Sequence, residues 1–310
     1  MKRKTMLDKA REYIQYKHDL GFKFRSQAYE VESFAKYADL NAKGNPLTTK
    51  LAIQWATTPL SKKSYHATRL SVISGFAKFL IISDPRTELP PTGIFGSCFQ
   101  RTPPYIYSYE EIARLMTTSA YEKQKKINTF TFSTIIGLLA CTGLRISEVL
   151  ALNNDDIDWK QMTLIIRGSK KLPMRLVPID RSTLNRLKQY VICRDCTFSH
   201  SKNNKAFFLS IRGTRFAYPT ISTAWQHLRL KTKTGINEKR LPRLHDFRHT
   251  FACNHLLNAY RENKDIDHAV HLLSVYLGHT SIKKTYWYLT GIPQLLELIS
   301  HRVENNLKTK

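Results

Sequence analysis

Between Ser83 and Tyr107 the chain reads Asp-Pro, Leu-Pro-Pro, Gly93, Gly96 and Thr-Pro-Pro, and no regular helix can run through such a stretch. Proline lacks the amide hydrogen a helix needs and pushes the residue before it toward extended conformations. The sequence is thereby divided into residues 1–84, a connector over 85–106, and residues 107–310, and each flank is long enough to bury a core of its own. Before the break the apolar residues follow helical spacing. Ala28, Val31, Phe34, Ala35 and Ala38 form one stripe, Leu51 and Trp55 another, and Val72, Ile73, Phe76, Phe79 and Leu80 a third. With a first helix starting close to Met1, the pattern predicts four short helices, and Thr48 and Ser61 are the expected N-caps of the last two. Lys62, Lys63, Ser64, His66 and Arg69 lie among them, a mix suited either to phosphate contacts or to a solvated helix face.

Beyond the connector, Ser108-Tyr-Glu-Glu111 has capping-box spacing, and an apolar helix follows from about Phe130 to Cys141, ended by Gly143. Two β-rich runs, Met162–Arg167 and Arg175–Ile179, are separated by a short Gly-Ser-Lys-Lys-Leu-Pro turn and read as a hairpin with Lys170 and Lys171 at its tip. After Arg181 the pattern returns to helix, apart from an expected short strand at Phe207-Phe208-Leu209. The predicted class is mainly α, with a four-helix N-terminal domain followed by a mostly helical domain carrying a small antiparallel β-sheet.

Lys and Arg number 49 against 24 Asp plus Glu, a formal charge of +25 that points to a polyanionic partner, nucleic acid first. A membrane is the rival partner, but no run approaches the ~18 apolar residues needed to span one, and Met1-Lys2-Arg3-Lys4 is not followed by an apolar signal core. A cytoplasmic protein is therefore expected, without a membrane partner. The five cysteines are too few and odd in number for a disulfide framework. Cys193 and Cys196, with His200 nearby, resemble half of a zinc site, but no second ligand pair completes it. Asp155, Asp156 and Asp158 have the composition of a Mg²⁺ site, yet equally suit a turn leading into the hairpin. No metal or cofactor is expected.

Three stretches concentrate groups suited to phosphoryl transfer: Thr142-Gly-Leu-Arg145-Ile-Ser-Glu148, Leu244-His245-Asp-Phe-Arg248-His249-Thr250, and Leu277-Gly-His279-Thr280 followed by Thr285-Tyr286-Trp287-Tyr288. In their types and order they resemble the tyrosine recombinases of the phage-integrase family, over the whole of the second domain. The first domain matches only in size and helical character, as in that family's SAM-like core-binding domain. A phosphodiester under attack places charge on two non-bridging oxygens, and two forked guanidinium groups clamp both. Arg145 and Arg248 suit that task, and His245, three residues before Arg248, falls on the same helix face.

What the resemblance implies is specific. Arg145 and Arg248 would bind the phosphate, and His245 would hydrogen-bond and transfer a proton. Lys170 on the hairpin would protonate the leaving 5′-oxygen, with Arg167 and Lys171 as neighbours that compete for the assignment. His279 stands nine positions before Tyr288, the family's usual interval to the nucleophile, and Tyr286 is the rival phenol. Glu148 would orient a catalytic group. The expected activity is metal- and ATP-independent breakage and rejoining of DNA at specific sites through a 3′-phosphotyrosyl intermediate, in the integration, excision or transposition of a mobile element. The expected partners are double-stranded DNA with inverted-repeat core sites and three further copies of the chain, giving a tetramer on two duplexes, with accessory recombinases in some systems. The amphipathic segment from Ile292 to Asn306 would dock on a neighbouring protomer or fold onto its own core, and the early start of the first helix leaves no place for an arm-binding domain. Two alternatives stand beside this reading: a type IB topoisomerase with the same chemistry, and a DNA-binding module without catalysis.

Overall fold

The computed structural model describes residues 4–42, 44–58, 60–98, 103–120, 126–168, 174–198 and 204–290. Its chain divides into two units, Met1–Thr102 and Pro103–Lys310. The first holds helices α1 (Met6–Asp19), α2 (Arg25–Ala42), α3 (Thr49–Thr57) and α4 (Lys63–Leu80). Thr5 and Asp8 cap α1 reciprocally, and the Thr48 hydroxyl accepts from the Leu51 amide at the start of α3. At α4 the expectation of a Ser61 cap fails. The chain stays extended through Lys62, which takes the cap position without a side-chain bond, so the Ser61 hydroxyl lies one residue too early to reach the first free amides.

The predicted stripes do meet in one core. Val31, Phe34, Ala35 and Ala38 of α2 face Trp55 of α3 and Ile73, Phe76 and Leu80 of α4, with Tyr13 of α1 closing the side. Phe34 meets the Trp55 ring edge-on at 5.4 Å, and the buried Arg69 guanidinium lies over the same ring, 3.6 Å from its centroid, while bonding Glu30 at 3.1 Å. The start of the proline-rich stretch is tied to these helices. The Glu88 amide donates to the Leu47 carbonyl at 2.9 Å, and the Glu88 carboxylate accepts from the Thr49 amide at 2.7 Å.

The second unit runs α5 (Tyr109–Ala120), α6 (Lys126–Thr142), α7 (Ile146–Ala151), a 3₁₀ turn over Asn154–Asp156, β1 (Ile157–Asp158), β2 (Thr163–Ile166), β3 (Arg175–Pro178), α8 (Arg181–Thr197), α9 (Tyr218–Lys231), α10 (Asp246–Arg261), α11 (Ile266–Leu277) and α12 (Lys283–Thr290). The capping box of Ser108 and Glu111 forms at the head of α5. Helix α6 is apolar around most of its girth because it is central, packed by α5, α8 and α10, with Ile135, Ile136 and Leu139 fully buried. The strands form one antiparallel sheet in the order β1-β2-β3, with Ile166 opposite Arg175 at the last rung before the hairpin tip. Leu164, Ile166 and Val177 turn inward, the period-two alternation of a half-buried sheet. A second, smaller core lies among α10, α11 and α12 and includes Leu256, Val270, Leu273, Leu277 and Tyr288.

Two further expectations change. Phe207-Phe208-Leu209 is not a strand: its neighbourhood holds only isolated bridges, Asn153 with Ala206 and Leu209 with Arg215. The β-rich composition there serves burial instead, since both phenylalanines pack around Tyr190. Conversely, β1 arises where only a turn was expected, through pairing of Ile157 with Leu164. The acidic cluster is consumed locally. Asp156 accepts from the Asn153 amide and from Arg167, and Asp158 accepts from the amides of Lys160 and Gln161. Cys193 and Cys196 lie on α8 as free thiols, while His200, Lys170, Lys171 and the segment 292–306 fall outside the described residues. Among the described residues no helix is long and apolar enough to cross a membrane.

Candidate active site

Five of the six residues singled out from the sequence converge where the start of α7, the start of α10, the end of α11 and the helix α12 meet. Arg145 is the N-cap residue of α7, and Glu148 at the third helical position reaches back to it, accepting from its amide at 2.9 Å and from its Nη1 at 2.9 Å. Gly143, at φ 60°, makes the turn between α6 and α7; a Cβ there would stand 2.6 Å from the Phe251 ring, so only glycine lets α10 approach this closely.

Arg248, in the first turn of α10, is the largest fully buried side chain among the described residues, at 1 % exposure. Its Nη1 donates to the Gly143 carbonyl at 3.0 Å, and its Nη2 to the Leu277 carbonyl at 2.7 Å and to His279 Nε2 at 2.9 Å. Burial first, and the charge of Arg145 second, bring the guanidinium down to about 10, which still leaves it protonated at neutral pH.

Because arginine can only donate, His279 Nε2 must accept, and the ring proton therefore resides on Nδ1. That nitrogen faces the buried Thr285 hydroxyl at 2.7 Å and donates to it. Desolvation and then the charges of Arg248 and Arg145 push His279 down to about 3, so the imidazole is neutral in the physiological range. His245 occupies the N-cap position of α10 with an exposed edge. Desolvation of its inner side, followed by the charges of Arg248 and Arg243, lowers its pKa too.

Tyr288 and Tyr286 diverge, as two positions on a helix must. The Tyr288 ring is 4 % exposed, stacked on His279 at 6.1 Å and edge-on to His249 at 5.3 Å. Burial raises its phenol above the ordinary value, an effect offset in part by the charge and hydrogen bonding of Arg248. Tyr286 is 38 % exposed and donates to Asp267 at 2.9 Å, on the other side of α12. Lys170, the sixth residue, lies outside the described residues.

Several residues around the site were not assigned from the sequence. Arg175 of β3 donates through Nη1 and Nη2 to both Glu148 oxygens at 3.0 and 2.9 Å, and through Nε to the Tyr276 carbonyl at 2.9 Å. Burial alone would raise the Glu148 carboxyl, but the bonds from Arg175 and Arg145 hold it below the usual carboxylate range. Thr285 pairs with His279 Nδ1, and its place three residues before Tyr288, on the same face of α12, was the one local clue. His249 lies between the rings of His245 and Tyr288, with a buried Nδ1 that has no hydrogen-bond partner. The arrangement gathers two guanidinium groups, neutral imidazoles and a phenol, a set suited to an oxyanion and poorly suited to a cation.

Comparison with known proteins points the same way. The model of the Phage integrase family matches residues 107–292. A putative integrase/recombinase, y4rB, of Sinorhizobium fredii is 34 % identical over 306 residues, covering 97 % of this chain and 97 % of that protein. Tyrosine recombinase XerC of Chlamydia trachomatis serovar L2 is 32 % identical over 220 residues, 71 % of this chain and 64 % of the relative. Among solved structures, the Tn1549 transposon integrase in complex with transposon right end DNA has a TM-score of 0.64 at 15 % identity, covering 96 % of this chain and 98 % of that one. XerH site-specific recombinase bound to its difH substrate has a TM-score of 0.65 at 16 % identity, covering 90 % of this chain and 79 % of that one.

Proposed function

The chain belongs to the phage integrase family of tyrosine recombinases, and from that premise we propose that it breaks and rejoins double-stranded DNA with Tyr288 as nucleophile. The observation that carries the assignment is the Tyr288 phenol beside Arg248, with Arg145 and His279 around it and Tyr286 turned away. The scissile phosphate binds against the two arginines, its non-bridging oxygens taking the donors of Arg145 and the remaining donors of Arg248. The Tyr288 oxygen then attacks phosphorus. A P–O bond to the 3′-side nucleotide is retained, the bond to the 5′-oxygen breaks, and a 3′-phosphotyrosyl linkage forms.

Two protons have to move. The phenol proton is given up to His245, which its arginine neighbours keep neutral and able to accept. The departing 5′-oxygen takes a proton from Lys170, by the hairpin assignment of the family. His279 hydrogen-bonds one phosphate oxygen once the phosphate has displaced its bond to Arg248 and its ring proton has passed from Nδ1 to Nε2, the Thr285 hydroxyl then donating to Nδ1. Attack by a 5′-hydroxyl on the phosphotyrosyl bond reverses each step, so strands are exchanged with the phosphoester bond conserved and without nucleotide hydrolysis or metal.

The charge of +25 supports a DNA partner, held sequence-independently through its phosphates by the basic excess. Two inverted core sites per duplex and four copies of the chain on two duplexes complete the proposed assembly, with residues 1–84 as a core-binding domain and 107–310 as the catalytic domain. Incubating the protein with genomic DNA flanking its own gene, and trapping with SDS, tests the reading. A covalent protein–DNA adduct is expected for the wild type and for Tyr286→Phe and none for Tyr288→Phe, with DNA affinity unchanged in all three. An adduct that persists in Tyr288→Phe and disappears in Tyr286→Phe reverses the assignment.

A further inference from the structure

Arg175 joins three separate parts of the site. Its guanidinium holds both oxygens of Glu148, whose remaining acceptor sites are taken by the amide and Nη1 of Arg145. A carboxylate accepts at about four lone-pair positions, so Glu148 is saturated. The Arg175 Nε bond to Tyr276 ties the same group to the end of α11, two residues before Gly278. Gly278 caps α11 at φ 66°, and a Cβ there would stand 3.0 Å from Arg175 Nη1. The backbone leading into His279 is thus laid directly against the Arg175 guanidinium.

Accessibility separates the two arginines on Glu148. The Arg145 side chain is 29 % exposed and Arg175 only 11 %, and all three Arg175 nitrogens are already bonded to Glu148 or to the Tyr276 carbonyl. Charge separates their roles as well. With Arg145 alone, Glu148 would make a neutral pair that draws its guanidinium inward and cancels its field at the phosphate. Arg175 supplies the second positive charge, which leaves the three-residue group net positive and Arg145 attractive to an anion.

We propose that Arg175 is a positioning residue of this site: by holding Glu148 and the Tyr276 carbonyl together it sets Arg145 and His279 in register on one phosphate. The inference rests on the reading of Tyr288 and its arginines as a phosphoryl-transfer centre. It predicts that loss of Arg175 weakens the clamp on the non-bridging oxygens, which matters for a charged linkage and much less for a neutral one.

The experiment compares Arg175→Met and Arg175→Lys with wild type on two duplexes that differ only at the scissile linkage, a phosphodiester or an uncharged methylphosphonate. Adduct formation by Arg175→Met should fall at least about tenfold on the phosphodiester and less than about threefold on the methylphosphonate, each relative to wild type on the same duplex. Arg175→Lys, which keeps the charge and loses the fork, should show the same inequality with a smaller loss. Equal losses on both duplexes, tracking a fall in melting temperature, would reduce Arg175 to a stabilising contact and overturn the proposal, as would full activity on both. If Arg175→Met does not fold, the ratio measured for Arg175→Lys decides. A wild type that forms no adduct on the phosphodiester sinks the reading of the site itself, whereas a wild-type adduct with substrate-independent losses sinks only the role of Arg175.

Discussion

Replacing Arg248 should damage the protein in two ways that can be measured apart. Its guanidinium is 1 % exposed and donates to the carbonyls of Gly143 and Leu277 and to His279 Nε2. In Arg248→Ala those three acceptors lose their donors, and at roughly 1–3 kcal/mol for each buried group left unpaired the loss is on the order of 3–9 kcal/mol. That is a large part of the ~5–15 kcal/mol that holds a typical protein folded, so inactivity of this variant would say little about catalysis. Arg248→Lys is the informative change. An ammonium keeps the charge and can satisfy some of the acceptors, so about 1–3 kcal/mol of destabilisation is expected, readable as a lower denaturant midpoint. It cannot form the two-pronged contact with a phosphate, and the rate of covalent adduct formation by the folded fraction should fall by roughly 10²–10³. The pocket lowers arginine from 12.5 to about 10. A similar drop would bring a lysine there from about 10.4 to near 8, so the residual activity of the variant should decline above about pH 8 while the wild type shows no such loss. Adduct formation by Arg248→Lys within a few-fold of wild type at pH 7, and flat from pH 7 to 9, would refute the reasoning.

Two other expectations follow from the same pocket. His249 and His279 are both held near 3 in the folded chain against 6.5 for an ordinary histidine, so below pH 6.5 the unfolded chain binds more protons than the folded one. Stability from these rings is complete above pH 6.5 and is lost as pH falls toward 3, with a slope of about 1.4 kcal/mol per pH unit for each ring while it titrates only in the unfolded state; His279→Asn should flatten chemical-denaturation stability against pH over that window, and an unchanged slope would contradict the assigned shift. Gly278→Ala places a side chain in the left-handed region and against Arg175, which should cost about 1–2 kcal/mol, or a melting temperature lower by roughly 2–8 °C, together with slower adduct formation. An unaltered melting curve would show that the αL cap at Gly278 is not under that constraint.

What could be read in the sequence was what short strings encode. Arg145 with Glu148, and His245 with Arg248, are pairs three residues apart, and such pairs are neighbours on any helix regardless of the rest of the fold. The separation of Tyr286 from Tyr288 follows from the same periodicity. The break after α4 was visible because proline acts on its own backbone. Legibility ended where a role depends on a contact across the fold. Arg175 is 27 residues from Glu148 and 101 from Tyr276, and nothing local to a strand residue announces partners at that distance. Strand β1 is likewise invisible, being two residues long and formed only because Leu164 offers a pairing edge. Phe207 and Phe208 misled for a related reason: aromatic residues favour strands and cores alike, and here Tyr190 had room for them as core. Ser61 lost the cap to Lys62 by a single residue, within the usual uncertainty of a helix boundary.

The protonation states bear on how the nucleophile is controlled. A phenol near two arginines is expected to ionise easily, yet burial outweighs the arginines and Tyr288 sits above its ordinary value. Arg248 meanwhile has Nη2 engaged by a carbonyl and by His279. In the chain alone the Tyr288 phenol, the proposed nucleophile, is therefore protonated, nearly sealed from solvent and beside an Arg248 whose donors are partly occupied. A phosphodiester binding against the arginines changes each term in the same direction. It competes for the Nη2 donor, releases His279 Nε2, and presents a phosphorus whose developing charge the freed guanidinium donors stabilise more strongly than they stabilise a neutral carbonyl. Reactivity thus depends on the anion that is to be attacked and does not pre-exist it. On the proposed assignment water would gain little from such a site, because a small neutral nucleophile neither displaces the bonds of Arg248 nor finds an activated phosphorus until DNA is in place, and the Tyr288 ring is already stacked on His279. A phosphotyrosyl bond at Tyr288 would, on that assignment, be shielded from hydrolysis by the same packing that raises the phenol, the property strand exchange requires of its intermediate.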